Sequence, residues 1–275
     1  MKQIDLRDAL NRIFSEEART VICGGEMIIQ GAVQYGFDED STVTAYESDG
    51  CVIIKDDSTY DGKRYLFRVV CPDGEHPRYL TAADRLLAEE RDSITLCVTG
   101  ALSPELDALY GWRKYSRMGE KFAENPFDCT VDGVKIRKLT AEDREVLLAF
   151  CRDEDAKTDD SPFAPKEYGN FEIYAEDLDG GRETVLGAWD GDVLTGAVTV
   201  IRHEVGGYCT LGQVGDLIVR KSHRRRGIGR ALVRAALSAY QDLRYFYNFA
   251  KGNENSAATA ESAGFTFAGA ELWTR

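Results

Sequence analysis

A short segment rich in glycine and arginine is the part of the sequence best suited to binding an anion. Residues 224–230 read Arg-Arg-Arg-Gly-Ile-Gly-Arg, so that Gly227 and Gly229 lie two apart among arginines. An apolar run ending at Val219 precedes the segment, and apolar residues at helical spacing follow it. Glycine lets a ligand approach the backbone, a helix N-terminus offers N–H groups and a favourable dipole, and arginine bonds phosphate oxygens in pairs. The segment therefore predicts a pyrophosphate-binding loop.

Two familiar phosphate motifs do not match this loop. It lacks the third glycine of a dinucleotide-binding fingerprint, and no Lys-Ser or Lys-Thr pair follows, as a P-loop requires. On these residues alone, a basic surface loop that only begins a helix is also consistent with the pattern.

A second pattern lies closer to the end of the chain, where Asn253 begins a short helical run that ends at Gly264-Phe265. The segment Asp216-Leu217-Ile218-Val219 and the loop Arg224-Arg225-Arg226-Gly227-Ile228-Gly229 precede it, and the loop fits the pattern [QR]-x-x-G-x-[GA]. Together these motifs resemble the Gcn5-related N-acetyltransferase (GNAT) superfamily over residues 132–275. The resemblance implies an α/β (α+β layered) fold with a central mixed, mostly antiparallel sheet flanked by helices. It also implies an acyl-CoA-dependent N-acyltransferase that uses acetyl-CoA.

The resemblance further implies where acetyl-CoA binds. Its pantetheine arm would lie in an opening between the strands near residues 208–219 and 245–250, and its pyrophosphate would lie in the loop. Asn253 would contact the pantetheine arm or cap the short helix, and it can do both. The implied cofactor-binding residues are Leu217, Ile218, Val219, Arg224, Arg225, Arg226, Gly227, Ile228, Gly229, Arg230, Asn253 and Ser256.

The sequence departs from the superfamily at the position of the usual catalytic acid. Many members carry a tyrosine seven residues after the asparagine, which protonates the departing CoA thiolate, and this chain has Ala260 there. Tyr247 is our candidate for the acid, Tyr245 on the same strand could also reach the cleft, and water could protonate the thiolate as well.

An amine acceptor must lose a proton before it attacks, and a carboxylate acting through water is the usual base. Asp216, beside the expected thioester, is the first choice, with Glu172 and Glu204 as alternatives. No cysteine lies where a covalent acyl intermediate would form, so we expect direct attack. A catalytically silent acyl-CoA-binding sensor is the alternative function, and Ala260 favours it.

The amino-acid composition limits the classes of binding partner that we expect. A formal net charge of −13 disfavours nucleic acids and anionic membranes as partners. The acidic stretch at residues 153–160 favours a cationic acceptor, either a small molecule or a protein amine. Three histidines and seven scattered cysteines disfavour a metal site, and this cysteine usage without an apolar leader leads us to expect a cytoplasmic protein. A homodimer is a further expectation.

Periodicity predicts the elements that hold these residues. In the second half it predicts strands at residues 134–140, 183–189, 193–202, 208–219, 245–250, 265–268 and 271–274, with helices at 166–177, at 254–263, after Thr140 and after Gly229. In the first half it predicts helices at residues 5–18 and 80–90 and strands at 43–46, 51–55, 64–70 and 93–99.

The two halves also repeat one order of elements, with Gly111-Trp112 standing where Gly264-Phe265 stand later. We expect a smaller N-terminal α/β domain at residues 1–125, a degenerate GNAT-like repeat, and an N-acetyltransferase domain at residues 132–275. The first domain has no basic glycine loop and is not expected to bind CoA. The C-terminal half alone is expected to bind it.

Overall fold

The computed structural model describes residues 1–14, 43–56, 59–60, 63–64, 67–71, 76–89, 94–99, 101–108, 111–118, 129–153, 155–156, 174–176, 178–180, 183–205, 207, 209–240 and 243–274. Glu172, most of the helix predicted at residues 166–177, and residues 157–160 of the acidic stretch lie outside this description. Every structural statement below concerns the described residues.

These residues form fifteen strands and six α-helices. The strands are β1 Lys2–Ile4, β2 Val43–Ser48, β3 Cys51–Asp56, β4 Thr59–Tyr60, β5 Lys63–Arg64, β6 Phe67–Val70, β7 Ile94–Thr99, β8 Gly111–Met118, β9 Cys129–Val131, β10 Val134–Lys138, β11 Glu183–Asp190, β12 Val193–Val205, β13 Cys209–Val219, β14 Arg244–Ala250 and β15 Thr266–Thr274. The helices are α1 Leu6–Ile13, α2 His76–Glu89, α3 Pro104–Ala108, α4 Arg144–Arg152, α5 Ile228–Ala236 and α6 Glu254–Ser262. Two 3₁₀ turns, Ala141–Asp143 and Lys221–His223, precede α4 and the glycine loop.

Thirteen of the described strands form one sheet in the order β1-β2-β3-β6-β7-β15-β8-β14-β13-β12-β11-β10-β9, and β4 pairs with β5 separately. Two neighbouring pairs in the sheet are parallel, β6 with β7 and β13 with β14, while the other described pairs are antiparallel. A helix connects each parallel pair, α2 in the first half and α5 in the second, as parallel strands require a crossover. The mixed, mostly antiparallel sheet is confirmed.

The two halves exchange strands at the centre of the sheet. β8, from the first half, pairs with β14 along its length, from Arg244–Met118 to Ala250–Trp112. β15, at the end of the chain, lies between β7 and β8 and pairs with both. The boundary that we expect in the chain is therefore not a boundary in the sheet. The order of elements agrees with an internal duplication, which itself stays a prediction.

Helices cover both faces of the second half of the sheet. On one face, α5 packs on β12 and β13 through residues such as Leu232, Val233 and Val200, and α6 joins the same core. On the other face, α4 packs through Leu147 and Phe150, in a core that includes Ala197 and Ile218. α1 belongs to the core that contains Leu211 and Phe246. The site lies where β13 and β14 meet between these layers.

Local sequence signals explain several element ends. Thr140 and Asp143 form the expected capping box before α4, and the Asp5 carboxylate caps α1 by accepting from the N–H groups of Arg7 and Asp8. The two closing strands that periodicity predicts are one continuous strand, β15. Its pairing with β8 shifts register between Phe267 and Gly269, and this irregularity interrupts the alternation that a single strand would show.

Candidate active site

An opening lies between the parallel strands β13 and β14. Their pairing runs from Leu211–Arg244 to Val214–Tyr247 and ends there. Beyond it β13 continues to Val219, which pairs with Gly196 of β12, and β14 continues to Ala250, which pairs with Trp112 of β8. Each strand is thus held by its outer neighbour while the two inner edges separate, as the resemblance implies.

A β-bulge in β13 starts this separation. The register of β12 with β13 shifts between Ala197 and Thr199, which face Ile218 and Gly215, and so an extra residue is accommodated on β13. Asp216 has a φ of 48°, in the left-handed region that non-glycine residues rarely adopt. A bulge bends its strand and redirects the side chains that follow. Leu217 and Val219 consequently face the cofactor side, and Ile218 packs into the α4 core.

A cleft of about 650 Å³ begins at this opening and extends over the glycine loop to α6. Ten of the twelve predicted cofactor-binding residues line it, which are Leu217, Val219, Arg224, Arg225, Gly227, Ile228, Gly229, Arg230, Asn253 and Ser256. Ile218 and Arg226 are not part of the lining. Sequence reasoning missed several lining residues on α6, among them Asn255, Ala258, Thr259 and Ser262.

The backbone of the loop suits a bound anion. Arg225 and Gly227 have φ values of 64° and 79°, and Gly227 is the N-cap of α5. Left-handed residues within a turn aim successive N–H groups into one concavity, which binds phosphate groups well. A Cβ at Gly229 would meet Leu217 and Val219 at 3.7 Å, an ordinary contact, so packing within the protein does not require glycine there. The small residue instead keeps the cleft open above the start of α5.

The arginines of the loop divide into two groups. Arg224, Arg225 and Arg230 line the cleft, and Arg224 Nε donates to the Val219 carbonyl at 3.1 Å. The Arg226 side chain turns away, because its Nε bonds the Asp132 carboxylate and its guanidinium lies 3.6 Å from Asp190 Oδ2. These carboxylates raise the pKa of the Arg226 guanidinium. The sequence analysis names Arg226 as a cofactor-binding residue, and of its groups only the backbone N–H faces that task.

Tyr247 and Ser256 form a hydroxyl pair in the cleft. The two oxygens are 2.7 Å apart, and burial raises the pKa of Tyr247 to about 12, so its phenol stays protonated at neutral pH. Tyr245 differs from the expectation. Its hydroxyl bonds the backbone N–H and carbonyl of Tyr240 and belongs to the core of the protein rather than to the cleft. Asn253 caps α6, accepting from Ser256 N–H at 3.2 Å, and also lines the cleft.

Asp216 lies at the opening but outside the cleft lining. Its Oδ2 accepts from the Tyr174 hydroxyl at 3.0 Å and from Thr199 Oγ1 at 3.3 Å. Burial, and then the charge of Asp216, raise the pKa of Tyr174 well above its ordinary value, with a further contribution from Glu183. Glu204, an alternative base, is largely exposed and lies 3.2 Å from Arg202. Glu172 lies outside the described residues.

Neither a metal site nor a membrane segment is found among the described residues. No group of three His, Cys, Asp or Glu residues there could hold a metal ion. No described helix is long and apolar enough to cross a membrane.

Comparison with known proteins gives a family match for a segment of the second half. Residues 148–265, from within α4 to the residue before β15, match the model of the Acetyltransferase (GNAT) family. The expected resemblance over the second half is thereby confirmed. The family implies acyl-CoA-dependent acetyltransferase activity. No curated protein sequence matches the chain significantly.

Solved structures extend the likeness of fold to the whole chain. An acetyltransferase of the GNAT family from Colwellia psychrerythraea is 14% identical, with 100% of this chain and 99% of that chain covered and a TM-score of 0.51. A GCN5-related N-acetyltransferase from Sphaerobacter thermophilus is 14% identical, with coverage of 99% and 93% and a TM-score of 0.50. At these identities the likeness concerns the fold.

Proposed function

We propose that the protein transfers the acetyl group of acetyl-CoA to a primary amine by direct attack of the amine on the thioester. One observation supports this most. The opening between β13 and β14 lies between a basic, glycine-lined cleft on one face of the sheet and the Asp216 carboxylate, which bonds Thr199 on the other face. A thioester in the opening could therefore receive its cofactor contacts from one face and the attacking amine from the other.

The residues of the cleft fit the parts of acetyl-CoA. The N–H groups at the start of α5, with Arg224, Arg225 and Arg230, suit the pyrophosphate, since charged donors make the stronger hydrogen bonds to phosphate oxygens. The inner edge of β13 from Leu217 to Val219 would pair with the amide groups of pantetheine. The carboxamide of Asn253 would lie beside the same arm.

The amine is assigned to the side of Asp216. An ammonium near this carboxylate gives up a proton, directly or through water, and the free amine attacks the thioester carbonyl carbon. The carbon–sulfur bond then breaks, the electron pair leaves on sulfur, and the new amide nitrogen loses its second proton to water. With a pKa of about 12, Tyr247 is a hydrogen-bond donor to that sulfur rather than a full proton source, because a thiol is the stronger acid. Water supplies the final proton.

The preference for a cationic acceptor now has a different basis. Two carboxylates of the acidic stretch turn to the loop before the cleft: Asp153 pairs with Arg220, and Asp155 bonds Ser222. They are therefore engaged within the protein. Asp216 and Glu183, whose charges both act on Tyr174, give the acceptor side its negative character instead.

The test is acetylation of a diverse amine library in the presence of acetyl-CoA, read by mass spectrometry as the gain of one acetyl group. Gly227→Asp should abolish both CoA binding and acetylation, because the carboxylate repels the pyrophosphate at the start of α5. Gly207→Asp is the matched control: Gly207 also has a positive φ, 80°, and lies in open space in the turn after β12. It should retain both properties.

The outcomes separate the alternatives. Unchanged CoA affinity in Gly227→Asp would remove the loop from the cofactor site. CoA binding with no acetylation of any amine would favour the catalytically silent sensor, which Ala260 suggests.

A further inference from the structure

We propose that Ser256 is a positioning residue for acetyl transfer, whose hydroxyl donates to the phenol oxygen of Tyr247 and so directs the phenol hydrogen at the sulfur of CoA. The inference rests on the proposed function, in which Tyr247 donates to that sulfur. The sequence predicts only that Ser256 binds the cofactor.

The hydroxyl pair lies in the wall of the cofactor cleft. Tyr247 and Ser256 both line the cleft, and their oxygens are 2.7 Å apart. Tyr247 forms the last pair of β14 with β13, where the opening begins. Its side chain is only 3% exposed, and its ring lies 5.8 Å from that of Phe265. The core therefore holds the ring, and a neighbouring hydrogen-bond donor decides where the hydroxyl hydrogen points.

Ser256 differs from the other hydroxyl residues of α6 that line the cleft. Thr259 Oγ1 donates to the Asn255 carbonyl at 2.8 Å, and Ser262 Oγ donates to the Thr259 carbonyl at 2.8 Å. Such bonds to the preceding turn are the usual ones for serine and threonine within a helix. The Ser256 hydroxyl instead bonds a side chain of another element, β14.

The cap of α6 does not use the Ser256 hydroxyl either. Ser256 is the third residue of α6, a position from which a side chain can accept from the N–H of the N-cap residue. Here the N–H of the N-cap, Asn253, donates to the Ala250 carbonyl at 3.1 Å, and the Asn253 side chain accepts from Ser256 N–H at 3.2 Å. The cap thus holds the backbone of Ser256 while its hydroxyl contacts Tyr247.

The proposed chemistry sets the direction of the hydrogen bond. A phenol has one hydrogen, so Tyr247 can donate to the sulfur only when its oxygen accepts from Ser256. Burial raises the pKa of Tyr247 to about 12, the Ser256 hydrogen bond opposes this rise, and the charge of Asp216 adds to it. A hydroxyl that accepts one hydrogen bond also becomes a stronger donor of its own. Ser256 therefore directs and strengthens the bond to the sulfur.

The first experiment measures the thiol of CoA bound to the full-length protein and needs no acceptor amine. Ultraviolet absorbance of the thiolate is followed against pH, as the difference between the complexes with CoA and with acetyl-CoA, which cancels the tyrosines of the protein. Ser256→Ala should raise the pKa of the bound thiol by about half a unit relative to the wild type, because the hydrogen bond to the thiolate weakens. Ser256→Thr keeps a hydroxyl and should restore the wild-type value.

A double variant separates positioning from direct contact with CoA. Tyr247→Phe should raise the pKa of the bound thiol at least as far as Ser256→Ala does, and combining the two should raise it no further. Ser262→Ala is the matched change on the same helix and in the same cleft, and its effect should be the same with and without Tyr247→Phe. No shift in Ser256→Ala, or an equal shift with and without Tyr247→Phe, would overturn the proposal.

Turnover gives the second readout, and melting temperatures show whether each variant folds. Ser256→Ala should lower kcat by about fivefold with little change in KM for acetyl-CoA, a smaller loss than in Tyr247→Phe because the phenol remains. Ser256→Thr should recover kcat. A raised KM with unchanged kcat would overturn the proposal. The proposed function fails separately: the wild-type protein would then bind CoA and acetylate no amine, while the thiol titration still shows whether Ser256 acts through Tyr247.

Discussion

At the scale of single residues, the chain has Ala260 on α6 and a pair of hydroxyl groups, Tyr247 and Ser256, in the cleft. Ala260 lies on α6 and is fully buried. The core that contains it also contains Tyr247 and Phe265, whose rings lie 5.8 Å apart. A tyrosine at position 260 would overpack this core. The Tyr247–Ser256 pair instead brings a protonated phenol into the cleft from β14.

Tyr247→Phe should therefore lower kcat by about 10- to 100-fold, the usual value of a hydrogen bond to a developing charge. Steady-state release of CoA measures this change. Tyr245→Phe is the control from the same strand, because its hydroxyl bonds Tyr240 outside the cleft, and it should retain kcat. Equal rates for Tyr247→Phe and the wild type would mean that water alone stabilises and protonates the departing sulfur.

Asp216→Asn should lower kcat/KM by about 10²-fold at neutral pH if this carboxylate removes the proton of the ammonium. The loss should shrink as pH rises, because more of the acceptor is then already a free amine. A pH profile of kcat/KM measures both effects. Glu204→Gln removes an exposed carboxylate that pairs with Arg202 and should match the wild type. Loss of rate in Glu204→Gln but not in Asp216→Asn would exchange their roles.

At the scale of elements, the segment after α4 holds the turn that leads into the glycine loop through hydrogen bonds and an ion pair. Lys221 N–H donates to the Asp155 carbonyl at 2.7 Å, Ser222 N–H donates to its carboxylate at 3.1 Å, and Arg220 pairs with Asp153. Arg220 Nε also donates to the Leu194 carbonyl at 2.7 Å, which ties the turn to β12. Arg220 thus stabilises the turn, whereas Arg224, Arg225 and Arg230 line the cleft.

Asp155→Ala should weaken CoA binding by loosening this turn, with kcat little changed once the protein is saturated with acetyl-CoA. Its side-chain bond to Ser222 lowers the pKa of Asp155, so the folded protein gains stability from this carboxylate above its ordinary pKa. That gain disappears as pH falls through the lowered value. The difference in melting temperature between the wild type and Asp155→Ala should accordingly vanish in acid. Asp192→Ala, in the exposed β11–β12 turn, is the control and should melt at the wild-type temperature at each pH.

The sequence predicts elements and the cofactor cleft better than it predicts the chemistry around them. Gly227 and Gly229 can be recognised in the sequence because the loop is a short, continuous segment, and its glycines lie at a fixed spacing within it. The partners of Arg226, Asp132 and Asp190, lie on distant turns, and no local pattern shows that they take this side chain from the cleft. His203, Gln213 and Asn248 are hydrogen-bonded across three strands, and no local pattern shows this because only the sheet register brings them together.

At the scale of the whole molecule, the parallel strand pair of the first half is joined at the position where the parallel pair of the second half separates. The parallel pair β6–β7 corresponds in topology to β13–β14, yet Tyr79 of α2 is fully buried and its hydroxyl bonds the carbonyls of Cys71 and Cys97 at 3.0 and 2.9 Å. This hydroxyl joins the end of β6 to β7 instead of leaving a cleft. Calorimetry should find one CoA bound per chain, and a stoichiometry of two would contradict this assignment.

The exchange of β8 and β15 revises the expectation that the C-terminal half binds CoA alone. A fragment of residues 132–275 lacks β7 and β8, so β14 loses its neighbour on the side away from the opening and β15 loses both of its neighbours. These edges would then be exposed. We expect this fragment to misfold or aggregate by circular dichroism and light scattering, and to show no calorimetric CoA binding. A fragment of residues 111–275 restores β8 and should recover much of the binding. If the shorter fragment folds and binds CoA as the full chain does, β14 does not need β8 to hold its side of the cleft, and the first half is a separable domain after all.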